Sequence, residues 1–145
     1  MRRGLLCIAL LAITSCGGAR HEVAAPMPAV RITSGGGVTG IYTGCQVDSA
    51  GTVSAFRVMR VGTDSTLWSR LLSDVERQQL RPLTADAGLL DWHTDERGNI
   101  TSRASLIDGS TSRRWTWSGN TPPDSAPDEF VLWVQIVRDL CRTRP

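Results

Sequence analysis

The stretch TSGGGVTG, residues 33–40, contains a glycine pattern that could bind a nucleotide. Gly35, Gly37 and Gly40 satisfy the spacing G-x-G-x-x-G, which in a dinucleotide-binding fold presents backbone amides to a pyrophosphate. That fingerprint needs a helix directly after the glycines and an acidic residue about 20 positions on. An alternating, β-branched segment follows instead, so we predict a glycine turn beside a strand and no bound nucleotide.

A second candidate for chemistry is DWHTDE, residues 91–96, where acidic side chains flank His93. Asp91, Asp95 and Glu96 could hold a weakly bound cation or form an acid–base pair with the imidazole. The same residue types are typical of a solvated loop, which is the interpretation we favour. No serine or cysteine has an identifiable base and orienting group, and the chain lacks lysine. We therefore expect no enzymatic activity, metal or cofactor.

The N-terminus has the layout of an export signal. A basic MRRG is followed by LLCIALLAI, an apolar run too short to cross a bilayer as a helix. Ile13-Thr14-Ser15-Cys16 then resembles the bacterial lipobox, with an ordinary secretory signal as the alternative. The resemblance implies a lipoprotein signal peptide over 1–15 and an acylated Cys16 that anchors the chain in membrane lipid. The glycines after Cys16, where inner-membrane lipoproteins commonly carry Asp, favour the outer membrane, facing the periplasm.

The overall charge does not indicate a nucleic-acid partner. The chain has 16 basic and 14 acidic residues. Arg2 and Arg3 belong to the predicted signal, so 14 basic residues remain against 14 acidic ones after cleavage. The excess positive charge therefore belongs to the export signal rather than to a binding surface.

The cysteines predict one disulfide. Cys7 lies in the predicted signal and Cys16 is the predicted lipid attachment site, which leaves Cys45 and Cys141. Two cysteines in an oxidising compartment favour a disulfide. A two-cysteine metal site is the alternative, but it lacks nearby histidine or cysteine ligands.

The rest of the chain is predicted to contain a flexible tether over 16–29 and a single α+β domain over 30–145. Residues 38–61 alternate around the turn sequence DSAG and predict an antiparallel hairpin. Residues 98–118 predict a second hairpin, because Asp108-Gly109 is a strong two-residue turn signal.

The second hairpin should have one apolar and one polar face. Pairing through the Asp108-Gly109 turn places apolar residues together on one face: Ile100, Ala104, Leu106, Trp115 and Trp117. The other face carries Thr101, Arg103, Arg114 and Thr116. This two-sided pattern is typical of an antiparallel sheet with helices on one side.

Two helices are predicted. Ser73 and Glu76 have the spacing of a capping box, and the helix that follows should bury Val75, Leu80, Leu83 and Ala87. Pro82 must kink this helix or break it in two. The final segment carries apolar residues at helical spacing: Phe130, Trp133, Val134, Val137, Leu140 and Cys141. The expected fold is α+β, an antiparallel four- to five-stranded sheet with two helices packed on one face.

The order of these elements resembles small bacterial lipoproteins of uncharacterised function and, more remotely, the emfourin family. The resemblance covers roughly residues 30–141 and depends on Gly36-Gly37 with Gly40, on the segment opened by the Ser73 capping box, and on the final amphipathic helix. Members of that family inhibit thermolysin-type metalloproteases, so the resemblance implies a protein inhibitor that presents a rigid loop.

These observations predict a lipid-anchored periplasmic protein-binding module, with a metalloprotease as the partner that the resemblance implies. The alternative is a structural or adaptor lipoprotein of the cell envelope without inhibitory activity. An enzyme or sugar-binding protein that uses His93 or the tryptophans is the third reading. The proline-rich loop 119–127 is an alternative partner loop to the glycine turn. The residues predicted to contact a partner are Gly35, Gly36, Gly37, Gly40, Trp68 and Trp92.

Overall fold

A computed structural model describes residues 26–59 and 64–143. The predicted signal peptide, Cys16 and the first part of the predicted tether lie outside these residues. Six strands and two α-helices follow one another along the chain: β1 (Ala29–Gly36), β2 (Ile41–Val47), β3 (Thr52–Val58), β4 (Asp64–Leu71), α1 (Asp74–Leu89), β5 (Ile100–Asp108), β6 (Thr111–Ser118) and α2 (Asp128–Leu140).

The strands form one open antiparallel sheet in the order β4-β3-β2-β1-β5-β6. The predicted α+β class is therefore confirmed, whereas the predicted count of four to five strands is wrong by one or two. The first strand lies at the centre of the sheet, where it pairs with β2 on one side and β5 on the other. Strand β1 thereby joins the two predicted hairpins into a single sheet.

Strand β4 is the element that the sequence pattern did not predict. It is the outermost strand beside β3, and most of its residues are exposed. A strand of this kind has no buried face to impose apolar alternation, which is the main sequence signal for a strand. The register of β4 against β3 also shifts between Ala55 and Phe56, and such a bulge further disturbs the alternation.

The described fold begins before residue 30. Strand β1 starts at Ala29, and the preceding Met27 is buried in the core. The backbone N–H of Met27 donates to the carbonyl of Ser49 at 3.0 Å. The fold thus includes residues that the predicted tether of 16–29 contained.

Both predicted hairpins are present. Strands β2 and β3 pair within 38–61, and β5 and β6 pair around Gly109. Ala104 lies opposite Trp115, and Leu106 is buried on the same face, as the two-sided pattern predicts. Ile100 is the exception: it is exposed, because it is the first residue of β5, at one end of the sheet.

Helix α1 begins at the predicted capping box. The Ser73 hydroxyl accepts from the backbone N–H of Glu76, and the Glu76 carboxylate accepts from the backbone N–H of Ser73. The helix continues through Pro82 without ending there. Leu80 and Ala87 are buried as predicted, but Val75 is exposed, because it lies on the outer side of the first turn.

The core lies between the two helices and one face of the sheet, and its centre is aromatic. Phe130 of α2 has ring centroids of four tryptophans within 6 Å: Trp92 at 4.8 Å, Trp115 at 5.1 Å, Trp133 at 5.7 Å and Trp117 at 5.8 Å. Large aromatic rings at such separations contribute both buried area and favourable edge and tilted contacts. This cluster holds α2 against β6 and the 90–96 loop.

An ion pair connects the edge strand to the start of α1. Two nitrogens of the Arg70 guanidinium donate to the two oxygens of Glu76, at 2.8 and 2.7 Å. The Arg70 side chain also donates to the carbonyl of Leu140 at 3.4 Å. The hydrogen bonds from Arg70, together with those from Ser73, lower the pKa of Glu76 from its ordinary value of 4.5 to about 2.

Replacing Glu76 with glutamine should lower the free energy of unfolding at pH 7 by about 1–2 kcal/mol, because it weakens both the cap and the ion pair. The pKa of Glu76 is depressed in the folded state, so its contribution is complete above pH 4.5 and is lost as pH falls towards 2. Urea unfolding of both proteins across this pH range measures the effect. The difference in stability between the two proteins should shrink below pH 4.5.

Glu129→Gln is the matched control, because Glu129 is an exposed carboxylate in the first turn of α2. An equal loss of stability in that variant would contradict the prediction.

Neither helix among the described residues is both long and apolar enough to cross a membrane.

Candidate functional site

The helices cover one face of the sheet, and the opposite face contains a depression. We call this the sheet groove. It has a volume of about 730 Å³ and is lined by residues of β1, β2, β3, β5 and β6 and by the glycine turn. Its charged lining residues are Arg31, Arg103 and Arg114, and Tyr42 provides an aromatic wall. A volume in this range is typical of ligand-binding clefts.

The predicted glycine turn borders the sheet groove. Gly35 and Gly36 end β1, a short 3₁₀ turn spans Gly37–Thr39, and Gly40 precedes β2. Gly36, Gly37 and Gly40 line the groove. Strand β2 follows the glycines where a dinucleotide-binding fold would have a helix. The glycine stretch is therefore a turn that connects two paired strands.

Close packing and unusual dihedrals explain the glycines. A Cβ on Gly35 would lie 2.6 Å from the Cα of Tyr42, so no side chain fits there. Gly37 and Gly40 have φ values of 64° and 60°, in the left-handed region that glycine adopts without steric cost. The N–H of Gly37 donates to the carbonyl of Asn99 at 2.7 Å, which fixes the turn to the start of β5.

The tip of this turn presents one apolar side chain to solvent. Val38 is fully exposed, although it lies only two residues from backbone that is packed too tightly for a Cβ. A single exposed apolar side chain is common on protein surfaces. The position of Val38 on a fixed turn beside a groove is what makes it a candidate contact residue.

A stacked arrangement holds Arg31 over the helix-free face. The ring of Phe56 lies against Gly44, where a Cβ would come within 2.5 Å of the ring. The Arg31 guanidinium lies over this ring at 4.1 Å and donates to the carboxylate of Asp64 at 2.7 Å. Arg31 therefore covers an aromatic ring that would otherwise be exposed, and Phe56 is fully buried although no helix covers it.

Arg103 and Arg114 are the other two cations of the sheet groove. Arg103 lies over the Tyr42 ring at 5.3 Å from the centroid, and both arginine residues are exposed. Neither forms an ion pair with a carboxylate within residues 26–59 and 64–143. Guanidinium groups of this kind can bind carboxylate or phosphate through two parallel hydrogen bonds.

The two tryptophans predicted to contact a partner lie away from the sheet groove. Trp68 on β4 and Trp92 in the loop after α1 are both partly buried and pack against the core. Trp92 also contacts Phe130, and its carbonyl accepts from the Trp115 indole N–H at 3.0 Å. These contacts give Trp92 a structural role, and partner binding by either residue stays a prediction.

The predicted disulfide is present. Cys45 of β2 is bonded to Cys141, the residue that follows α2, and their Cα atoms are 5.7 Å apart. Cys45 is buried, and Cys141 packs at the edge of the core. The bond therefore connects the end of α2 directly to the sheet.

The DWHTDE stretch forms the exposed loop that the sequence favoured. His93, Asp95 and Glu96 are exposed, and Asp95 forms an isolated bridge with Thr116 of β6. Within the part of the chain that the structure describes, no group of three histidine, cysteine or acidic residues could hold a metal ion.

Sequence reasoning placed Arg103 and Arg114 on the polar face of the second hairpin, but it did not predict either of them as a site residue. Arg31 and Tyr42 were missed as site residues, because their place beside Arg103 depends on β1 and β2 pairing next to β5. No local pattern encodes that pairing.

Comparisons with known proteins add no assignment, since no family model and no curated protein matches this chain.

Proposed function

We propose that this chain is a lipid-anchored, protein-binding module of the outer membrane that faces the periplasm. The lipobox-like Ile13–Cys16 segment supports the anchor and the location. The observation that supports binding is the sheet groove, a recess whose arginines have no carboxylate partner apart from the Arg31–Asp64 pair within the described residues. We assign the partner surface to this groove and to the glycine turn at its border.

A finer proposal is that the partner is a metalloprotease, as the resemblance to emfourins suggests. One observation favours it: fully exposed Val38 lies on a turn whose neighbours are held by close backbone packing. A rigid exposed loop binds a cleft with little loss of conformational entropy. The alternative is an adaptor lipoprotein that uses the same surface to bind a structural component of the envelope.

Photo-crosslinking from chosen positions tests the proposed function. A photoreactive residue at Val38 or at Ser105, which lines the groove, should capture the same envelope protein from intact cells. The matched control is Gln78, an exposed position on α1, and it should capture none of it. Mass spectrometry of the adduct identifies the partner.

The identity of the crosslinked protein separates the two finer proposals. A metalloprotease that loses activity on binding supports the inhibitor, and a structural envelope component supports the adaptor. Absence of any adduct from Val38 and Ser105, or an equal adduct from Gln78, would exclude the proposed partner surface.

A further inference from the structure

We infer that the sheet groove binds an extended acidic peptide segment of the partner protein. In this arrangement carboxylates of the segment pair with Arg103 and Arg114, and an apolar side chain packs against Tyr42. The inference deepens the proposed function and depends on it in one respect, namely that the partner is a protein.

The charges around the sheet groove favour an acidic ligand. One acidic residue that contacts the groove lining is Asp64, which already pairs with Arg31 at 2.7 Å. A second acidic residue, Asp95, lies 3.9 Å from Arg97. Both residues line a smaller depression of about 270 Å³, and Arg103 and Arg114 also line it. These acids leave two exposed guanidinium groups without an ion pair among the described residues. A ligand that carries carboxylates would complement them.

The positions of the groove residues on the sheet favour an extended ligand. Arg114 pairs with Ser105, Arg103 with Thr33 and Tyr42 with Gly35, and these pairs occupy successive rows along the sheet. Successive rows on one face are about 7 Å apart along the strands, and neighbouring strands are about 4.8 Å apart. Arg114 and Arg103 lie one row apart on the adjacent strands β6 and β5, and Tyr42 lies one row further on, two strands away on β2.

The step from Arg114 to Arg103 is close to the repeat of an extended peptide, because diagonal neighbours on adjacent strands are about 7–8 Å apart. Alternate side chains of an extended chain lie on one side of the backbone at intervals of about 7 Å. Acidic residues two positions apart would therefore face Arg114 and Arg103, and an apolar residue beyond them would approach Tyr42, over whose ring the Arg103 guanidinium lies at 5.3 Å. A single small anion cannot span these positions, because it offers one centre of charge.

The sheet groove also has an apolar end beyond the arginines. Val58 and Met59 line the groove together with Tyr42. Met59 is exposed, and methionine adapts its shape to different apolar groups. This end suits an apolar side chain. The segment should therefore carry its apolar residue either after or before the acidic residues, depending on the direction in which the segment runs along the groove.

Binding of a short peptide to the full-length protein in detergent tests the inference. The probe is a fluorescein-labelled hexapeptide, Glu-Ser-Glu-Ser-Val-Ser, and fluorescence anisotropy gives its Kd. Replacing both glutamates of the probe with glutamine should weaken binding about tenfold, and raising the salt concentration should weaken the acidic probe only. The isomer Glu-Glu-Ser-Ser-Val-Ser, of identical charge but different spacing, should bind several-fold more weakly.

Protein variants supply the complementary comparison. The double variant Arg103→Gln with Arg114→Gln should weaken binding of the acidic probe about tenfold or more. Arg57→Gln removes the same kind of charge from an exposed residue outside the groove lining and should change Kd less than about twofold. Asp64→Asn should strengthen binding of the acidic probe about two- to threefold, because it removes a negative charge beside the groove that repels the probe. Far-ultraviolet circular dichroism verifies that each variant is folded.

Several outcomes would overturn the inference. Equal affinity for the acidic and neutral probes would remove the charge argument, and equal affinity for the two acidic isomers would remove the extended segment. Displacement of the probe by equimolar inorganic phosphate would indicate a small-anion site instead. Failure here with successful crosslinking from Val38 and Ser105 would leave the proposed function intact and exclude only the acidic segment.

Discussion

Replacing Phe130 with alanine is expected to lower the free energy of unfolding by about 3–5 kcal/mol, the largest effect of any single core substitution that we predict. Phe130 is fully buried, and its ring contacts four tryptophans between 4.8 and 5.8 Å away. Removing the ring leaves a cavity whose walls are large, rigid indoles from three different parts of the chain. Such walls close poorly over a void, so both transfer energy and packing energy are lost.

Urea unfolding followed by circular dichroism measures this effect, since tryptophan fluorescence would itself change when the cluster is altered. The matched control is Leu132→Ala on the same helix, because Leu132 is 46% exposed. We expect that substitution to cost about 1 kcal/mol or less. Similar losses at Phe130 and Leu132 would show that the aromatic cluster is not the centre of the core.

Removing the disulfide is expected to have an effect of similar size. Cys45 and Cys141 are 96 positions apart, and closing a loop of this length restricts the unfolded chain by about 4–5 kcal/mol in the chain-entropy model. The double variant Cys45→Ala with Cys141→Ala should lose about 2–5 kcal/mol of stability, which is the range found for small secreted domains. The end of α2 should become the least protected part of the core.

Comparison of urea midpoints with and without a reducing agent provides the test and its control. Reduction should lower the midpoint of the natural protein to near that of the double-alanine variant, and it should leave the variant unchanged. A midpoint of the natural protein that does not respond to reduction during unfolding would mean that the bond contributes little. An equal response of the variant would point to an effect of the reductant elsewhere.

Both predictions concern the same packing of α2 on the sheet. Phe130 fixes the first turn of the helix through the aromatic cluster, and Cys141 fixes the position just beyond its end. The sheet groove lies on the other side of β1, whose buried residues Val30 and Ile32 contact this core. Substitutions in the groove are therefore expected to change binding at little cost to stability.

The sequence predicted the parts of this fold that depend on near neighbours. Period-two alternation and the Asp108-Gly109 turn identified both hairpins, because strand faces and tight turns are set within a few residues. The Ser73 capping box and the apolar stripe of α2 identified the helices for the same reason. The disulfide followed from counting cysteines, because Cys45 and Cys141 remain once Cys7 and Cys16 are assigned to the export signal and the lipid attachment site.

The tertiary structure decided how these parts are ordered in space. The position of β1 between β2 and β5 brings Arg31 and Arg103 together from segments 72 positions apart. The edge strand β4 was not predicted, because it buries too little to show a periodic pattern. Strand order depends on the surface that each non-local pairing buries and on the entropy cost of closing the loop between the paired strands. Short-range sequence patterns give information on neither the buried surface nor the entropy cost.

The glycine stretch illustrates the same division. From the sequence alone, the β-branched segment after Gly40 predicted that TSGGGVTG forms a turn beside a strand. Only the folded chain placed that turn against Asn99 and made it the border of a groove with three arginines. The turn is local, because it depends on the dihedral freedom of a few residues. The groove is not, because it requires strands from both halves of the chain to lie side by side.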